Sequence, residues 1–402
     1  MIKLVLTIKS KKLCMKTLEK QQPLSTSSPQ TRQYYIDWIR VLAFGILIFF
    51  HTGMFFVYWG WHVKNNELTE VLEIPMEWLH LWRLPLLFFI SGVGVSFAMK
   101  SKTAGAFIAE RSKRLLIPLL FGVLVIVPPQ VYFERLQRHQ FEGSYWAFYP
   151  KIFEFQAYPD GNSSWHHLWF IAYLWVFSVI ATPLFVLLKN RSSEGFWQFF
   201  QKIVSQPLGL LLWAVILASA YWFLHADWPV FQNLVSDWYN FTVSIMLFVL
   251  GYLIGKTPIA WDTMEKHRRS YAVLGLFIVA FRFSYDTLFG SIPEDTIWMT
   301  IVNGLLTMVS LWSTILAIGG YAKHYLNFTN QALQYSNQAV YPFYILHQTI
   351  TVALGFYLAN VSLNLWIKYI LIAAGTFGIS WLIYHYLIRP FRLTSFLFGV
   401  KK

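Results

Sequence analysis

Acidic residues, charge in general and cysteine are what this sequence has least of. A single cysteine, Cys14, in 402 residues excludes a disulfide framework, so any segment outside the cytoplasm has to be held by packing and hydrogen bonds. A catalytic thiol is not expected from it either. Charged residues make up 13% of the chain, about half the share usual in soluble domains. There is no Gly-x-Ser-x-Gly elbow, no phosphate-binding loop of the Walker type and no His-Glu-x-x-His, which argues against a serine hydrolase, an ATP-driven pump and a zinc protease.

What is present in excess is apolar: 56% hydrophobic residues and 19% aromatic, with a mean hydropathy of +0.46. A water-soluble domain has no use for so much apolar surface, whereas a bilayer core of about 30 Å takes roughly 20 apolar residues per helix. Apolar windows lie at residues 38–58, 84–100, 115–133, 167–188, 208–225, 239–256, 270–288, 298–320, 341–360 and 366–388. The reading is an all-α polytopic membrane bundle of about ten transmembrane helices, with Pro128-Pro129 kinking or ending the third. Residues 1–34 are expected to form a flexible cytoplasmic tail, 35–392 the membrane domain and 393–402 a second short tail.

Retained cytoplasmic loops are enriched in Lys and Arg. With the N-terminus inside, 24 of the 32 basic residues fall in cytoplasmic segments, and six (Lys64, Arg83, Arg135, Arg138, Lys151 and Lys368) fall outside. An even number of spans then puts both termini in the cytoplasm of a cell whose inner membrane holds the protein. The net charge of +13 is accounted for by this bias, and no nucleic-acid surface is inferred.

Ionisable groups at membrane depth are costly, so each is a functional candidate. The first span carries Asp37, Arg40 and His51. Eleven residues separate Arg40 from His51, which on a helix places them about 20° apart on one face and roughly 16 Å apart along the axis. Asp37, three residues before Arg40, can pair with it, and His51, Asp37 and Arg40 are taken together as the catalytic candidates. A cation at the cytoplasmic mouth and a titratable base deep inside suit a long anionic donor whose reactive end travels inward. Histidine is also the side chain best placed to take a proton from an alcohol near neutral pH. The bland alternative is a hydrogen-bonded packing histidine.

Glu77, His80, Arg83, His166, His167, Arg282 and Asp286 fall at the same outer level and are candidates for a pocket around His51. Arg83, His80, His167 and Arg282 are assigned to its acceptor side, where an Arg or a second His can stabilise an oxyanion. Arg111-Ser112-Lys113-Arg114 packs three cations before the third span, a phosphate-binding surface in one reading and a topology signal in the other. His347 is placed near the inner side of the ninth span. The outer segment 134–166 is rich in aromatics, including Tyr145, Trp146, Phe153, Phe155, Tyr158 and Trp165. These suit the apolar faces of sugar rings, or an interfacial belt.

Four motifs in order, Tyr35-Ile36-Asp37-Trp38-Ile39-Arg40 with His51 eleven residues on, Phe88-Phe89-Ile90-Ser91-Gly92, Arg111-x-x-Arg114 and Tyr344-Ile345-Leu346-His347-Gln348, resemble the acyltransferase-3 family of integral membrane acyltransferases and, within it, the glucan-biosynthesis branch. The resemblance spans residues 35–388. It implies transfer of an acyl group from cytoplasmic acyl-CoA to a carbohydrate hydroxyl outside, with His51 as the catalytic histidine and Arg40, Arg111 and Arg114 on coenzyme A. His347 is grouped with these as a further acyl-CoA-binding candidate. The branch implies succinyl transfer to a periplasmic glucan, and acetyl transfer uses the same core.

An O-acyltransferase is therefore expected, with acyl-CoA as co-substrate, no tightly bound cofactor, no metal, and a carbohydrate acceptor and membrane lipid as its other partners. The competing reading is a multi-span exporter of a glycan or small anion, for which intramembrane Arg and His also serve. Coenzyme A binding separates the two.

Overall fold

The computed structural model describes residues 32–189, 193–290, 292–294 and 296–400; nearly all of the expected N-terminal tail lies outside them. Ten long helices carry the fold. They are α1 (Tyr34–Met54), α2 (Glu73–Ala98), α3 (Ala104–Gln137), α4 (His166–Leu187), α5 (Pro207–Leu224), α6 (Trp238–Gly255), α7 (Pro258–Phe289), α8 (Ile297–Tyr325), α9 (Gln331–Leu358) and α10 (Leu365–Ile388). Among the described residues, nine are long and apolar enough to cross a membrane. The tenth, α9, has 28 residues but is diluted by Asn, Gln, His and Thr on the side it turns to its neighbours. The chain is thus a multi-pass membrane protein, and its described residues form a bundle of helices, the form in which every backbone polar group can be satisfied within its own segment.

Helix ends differ from the apolar windows in a consistent way. Hydropathy reads the lipid-facing middle of a helix, whereas capping residues fix its ends: Asn330 accepts from the Leu333 N–H at 2.8 Å to start α9, and Thr296 accepts from Met299 to start α8. Accordingly α9 begins ten residues before its window, and α2 eleven. Pro128 neither ends α3 nor leaves it straight. A wide π turn over Gly122–Ile126 accommodates the missing N–H groups, and the helix resumes from Pro128 to Gln137. At the far end of the chain Arg392–Leu397 is a short helix rather than a free tail, because Phe398 packs its ring on Phe121 of α3 at 5.2 Å.

Two contacts position the site. α1 and α9 run parallel and in register: Arg40 meets Asn337, Phe44 meets the Tyr344 ring at 5.2 Å, and His51 meets His347. α2 and α6 touch through backbone, since a Cβ on Gly92 would fall on the Phe248 carbonyl oxygen and one on Gly251 on the Phe89 carbonyl oxygen. Such close approach between small residues is how helices gain packing energy where lipid removes the hydrophobic drive.

Gly251→Ala forces α2 and α6 apart and is expected to cost about 1–3 kcal/mol, as overpacking does. Gly94→Ala, on the same helix α2 with open space around its Cβ, is expected to be neutral or slightly stabilising. Thermal unfolding of the two variants in detergent checks the contrast.

Candidate functional site

The parallel pair α1 and α9 has a polar cluster at each end. Where α1 begins, Arg40 donates to Asp37 at 3.2 Å and to the Asn337 side chain, and Asn337 in turn donates to Asp37 at 3.0 Å. Arg111 and Arg114, on the adjoining turns of α3, approach the same end. Arg111 feels the charges of Arg114 and Arg40, and Tyr341 of α9 donates to the Arg114 carbonyl at 3.3 Å. Three guanidiniums from two helices therefore lie at one end of the bundle, the three that the family resemblance grouped together, with Arg40 also paired to Asp37.

Where α1 ends, the second cluster is built of imidazoles. His51 is 8% exposed and His347 fully buried, with His347 Nε2 2.8 Å from His51 Nδ1. His347 Nδ1 lies 2.6 Å from the Tyr344 carbonyl oxygen. A carbonyl only accepts, so His347 Nδ1 carries the proton and Nε2 the lone pair. His51 Nδ1 must then donate to it, which leaves the lone pair of neutral His51 on Nε2. A similar argument sets His167: Nε2 donates to the Ile345 carbonyl at 3.0 Å, so its buried and unpartnered Nδ1 is an acceptor.

His347 thus belongs to the His51 end of the bundle, not to the inner side where the sequence put it. The displacement follows from the helix start: from Gln331 to His347 is sixteen residues, about 24 Å along the axis.

His51 lines a cavity of about 370 Å³, a size typical of small-ligand sites. His80, Arg83, His166 and His167 line it too, so three of the four acceptor-side candidates are brought together. Arg83 is buried, with its guanidinium 3.2 Å from the Phe50 ring centroid. Its NH1 meets His80 Nδ1 at 3.3 Å. No carboxylate among the described residues lies within ion-pair distance of it, and its Nε has no partner. An unpaired buried guanidinium is costly and readily takes an anionic ligand atom. The fourth candidate, Arg282, does not reach this cavity. With Glu77 and Asp286 it lines a separate one on the opposite face of α2, because Glu77 and Leu81 point one way from that helix and His80, Arg83 and Leu84 the other.

The sequence missed Glu134 and His62. Glu134 is completely buried on the resumed turn of α3. It accepts from Tyr158 at 2.9 Å, pairs with Arg138 at 2.9 Å, and meets His62 Nδ1 at 2.5 Å. The other His62 nitrogen faces Gln348 at 3.0 Å, next to His347. Burial, reinforced by the Glu134 carboxylate, pushes the Tyr158 phenol up to about 12, so it stays a donor. The visible signal was Gln130, Glu134 and Arg138 at four-residue spacing, the mark of a helix where hydropathy read a loop. His62, Glu134 and His166 have ligand atoms within 4.8 Å of one another. The carboxylate is already engaged by three partners, with Arg138 among them and Arg135 acting on His166, an environment that repels a dication. Of the loop aromatics, Tyr158 and Trp165 line the His51 cavity, whereas Trp146 and Phe155 are exposed.

The His51–His347 pair and Arg83 line one cavity at the opposite end of a helix pair from a cationic cluster, an arrangement suited to group transfer. The chain belongs to the acyltransferase-3 family, matching its acyltransferase domain over residues 33–385, and it is a membrane acyltransferase. It is similar to glucans biosynthesis protein C of Escherichia coli O1:K1 / APEC, 23% identical over 385 residues that cover 93% of this chain and 96% of the relative. The protein of the same name from Salmonella paratyphi B is 23% identical over 397 residues, covering 94% and 97%. No solved structure matches the chain.

Just beyond α1, Lys64 Nζ donates to the Met54 carbonyl at 2.7 Å and the Val57 carbonyl at 2.5 Å, capping the helix that carries His51. Burial pulls its ammonium down to about 8 from 10.5. The unfolded chain then holds the proton more tightly over about pH 8 to 10.5, so stability rises with pH across that window. Lys64→Met is expected to remove this increment, which thermal unfolding at about pH 7.5 and about pH 9.5 measures. An unchanged rise would overturn the assignment.

Proposed function

We propose that this protein moves an acyl group, acetyl or succinyl, from acyl-CoA on the cytoplasmic side to a hydroxyl of an extracytoplasmic carbohydrate such as a periplasmic glucan. It does so in the bacterial inner membrane with both termini in the cytoplasm. The observation that carries this reading is the tautomer chain Tyr344, His347, His51, which leaves His51 Nε2 as a base in the cavity. The coenzyme A assignment is supported by the convergence of Arg40, Arg111 and Arg114. The positive-inside count supports the orientation, and the names of the relatives support the glucan. Family membership favours transfer over export, since an exporter has no use for a base aligned in this way.

In this mechanism the cationic end holds the phosphates and adenosine side of the donor, and the thioester extends along the α1–α9 pair to the cavity. His51 Nε2 takes the proton of the acceptor hydroxyl as its oxygen attacks the thioester carbonyl. The new C–O bond creates an oxyanion within reach of Arg83 and of the unpartnered Trp61 indole N–H, whose ring lies 5.2 Å from His51. As the C–S bond breaks, imidazolium His51 returns the proton to the thiolate. His347 acts through His51 as a positioning residue, holding its tautomer.

His51→Ala is expected to lower acyl transfer by membranes about 10² to 10⁴-fold, the usual worth of a general base, with coenzyme A binding retained. His347→Ala lowers kcat with little change in KM. Near-normal turnover by folded His51→Ala protein would sink the mechanism.

Arg83 also discriminates between the acyl groups. A succinyl group brings one free carboxylate for the unpaired guanidinium, and an acetyl group brings none. If the donor is succinyl-CoA, Arg83→Gln raises its KM more than it raises that of acetyl-CoA. Equal effects on both would leave Arg83 with the oxyanion alone.

A further inference from the structure

The cavity that holds Arg282 is larger than the one around His51, about 670 Å³, and shares no lining residue with it. Its polar groups are unevenly matched. Glu77, Asp286 and Glu294 line it with one guanidinium, Arg282, and one imidazole, His225, 3.8 Å from the Glu294 carboxylate, so carboxylates outnumber the fixed cation and the net charge disfavours a polyanion such as the acyl donor. Asn303 donates its amide N–H groups to the Tyr221 hydroxyl at 3.0 Å and to the Glu294 carboxylate. Both partners are oxygens, and a carboxylate only accepts, which fixes the amide orientation. The Asn303 Oδ1 is left buried with no partner, as is the Ser310 Oγ; the two residues are 6% and 1% exposed. Carboxylates and an orphan carbonyl together call for a ligand rich in N–H donors. On the donor side, Arg282 is joined by the Trp78 indole N–H, also buried and unpartnered.

This polar cavity has an apolar neighbour across Trp78. A groove of about 480 Å³ is lined by Leu42, Ile46, Trp82, Leu276, Ala317 and Tyr321 among others, and Trp78 belongs to both spaces. Two helices pass from one space to the other along a single stripe. On α8, Asn303, Thr307 and Ser310 face the polar cavity, and Thr314, Ala317, Tyr321 and Tyr325 face the groove, at the spacing of three and four residues that marks one helix face. On α7 the change falls between Leu276 and Val279. From Thr314 to Tyr325 the groove follows the helix for about 16 Å, room for one hydrocarbon chain. A polar end with an excess of acceptors joined to an apolar slot is the outline of an amphiphile.

We propose that the two spaces together hold one phospholipid of the surrounding bilayer with a zwitterionic, primary-ammonium headgroup. The ammonium sits among Glu77, Asp286, Glu294 and the Asn303 carbonyl, the phosphate takes Arg282 and the Trp78 N–H, and one acyl chain fills the groove. A trimethylammonium head has no N–H for these acceptors, and an anionic glycerol head meets three carboxylates, so both are disfavoured. The lipid also braces α2, which turns Glu77 and Trp78 to it and His80 and Arg83 to the His51 cavity. This inference does not rest on acyl transfer.

The test is native mass spectrometry of the purified full-length protein in detergent with equal amounts of phosphatidylethanolamine, phosphatidylglycerol and phosphatidylcholine. Wild-type protein is expected to retain the ethanolamine lipid several-fold over the other two. Glu77→Gln/Asp286→Asn brings the three to parity, and Ala317→Trp, which fills the groove, lowers retention of all three. If the double variant does not fold, N,N-dimethylated phosphatidylethanolamine on the wild-type protein replaces it, with weaker retention expected as donors are lost. Equal retention of the three lipids by wild-type protein, or a preference for the glycerol or choline lipid, overturns the proposal. So does an ethanolamine preference that survives both substitutions.

Discussion

The parallel register of α1 against α9 is the constraint on which the rest of the site depends. Both helices cross in the same direction, so they cannot be joined by a tight turn and are held only by what passes between them. At one end that is the Arg40–Asp37–Asn337 cluster; at the other it is the His51–His347 hydrogen bond. Polar contacts inside a membrane are directional and expensive to leave unmade, so a pair fixed at both ends has one register. A shift by one turn, about 5.4 Å, would break both clusters at once. The same bond has two effects: the contact that fixes the register is also the one that sets the tautomer of His51.

Around this pair the other helices divide the work. α3 contributes Arg111 and Arg114 near one end and Glu134 near the other, and it can do both only because the π turn at Gly122–Ile126 lets it continue past its prolines. α2 carries Arg83 to the cavity and is held against α6 by the reciprocal glycine contacts of Gly92 and Gly251. The buried Glu134 then ties the segment after α3 to the bundle through Tyr158 and Arg138, and Arg135 adds bonds to the Pro159 and Gly161 carbonyls at 2.7 and 2.8 Å. With a single cysteine in the chain, these ionic and amide contacts do what disulfides do in other exposed loops.

Much of this was legible in the sequence, and the exceptions have a common cause. The stripe on α1 could be read because Asp37, Arg40 and His51 sit in an otherwise apolar run, where each polar residue stands out. α9 was only half read, since a helix lined with Asn337, His347, Gln348 and Thr351 is too polar for hydropathy to find its true start. His347 was placed at the wrong depth for that reason. Glu134 was hidden because the apolar window of the third span stops at residue 133, so the polar turns with which α3 continues were read as loop. Arg282 was assigned to the right level and the wrong cavity, because depth follows from position along a helix, whereas the direction a residue faces depends on partners that one helix does not reveal.

The pinned loop has a geometric consequence for whatever enters. The cavity of about 370 Å³ is walled on one side by Tyr158 and Trp165, and that wall is tied down through Arg135 and Glu134. It offers a fixed shape, so on the proposed function an acceptor has to bring its hydroxyl to that shape rather than have the wall fold around it.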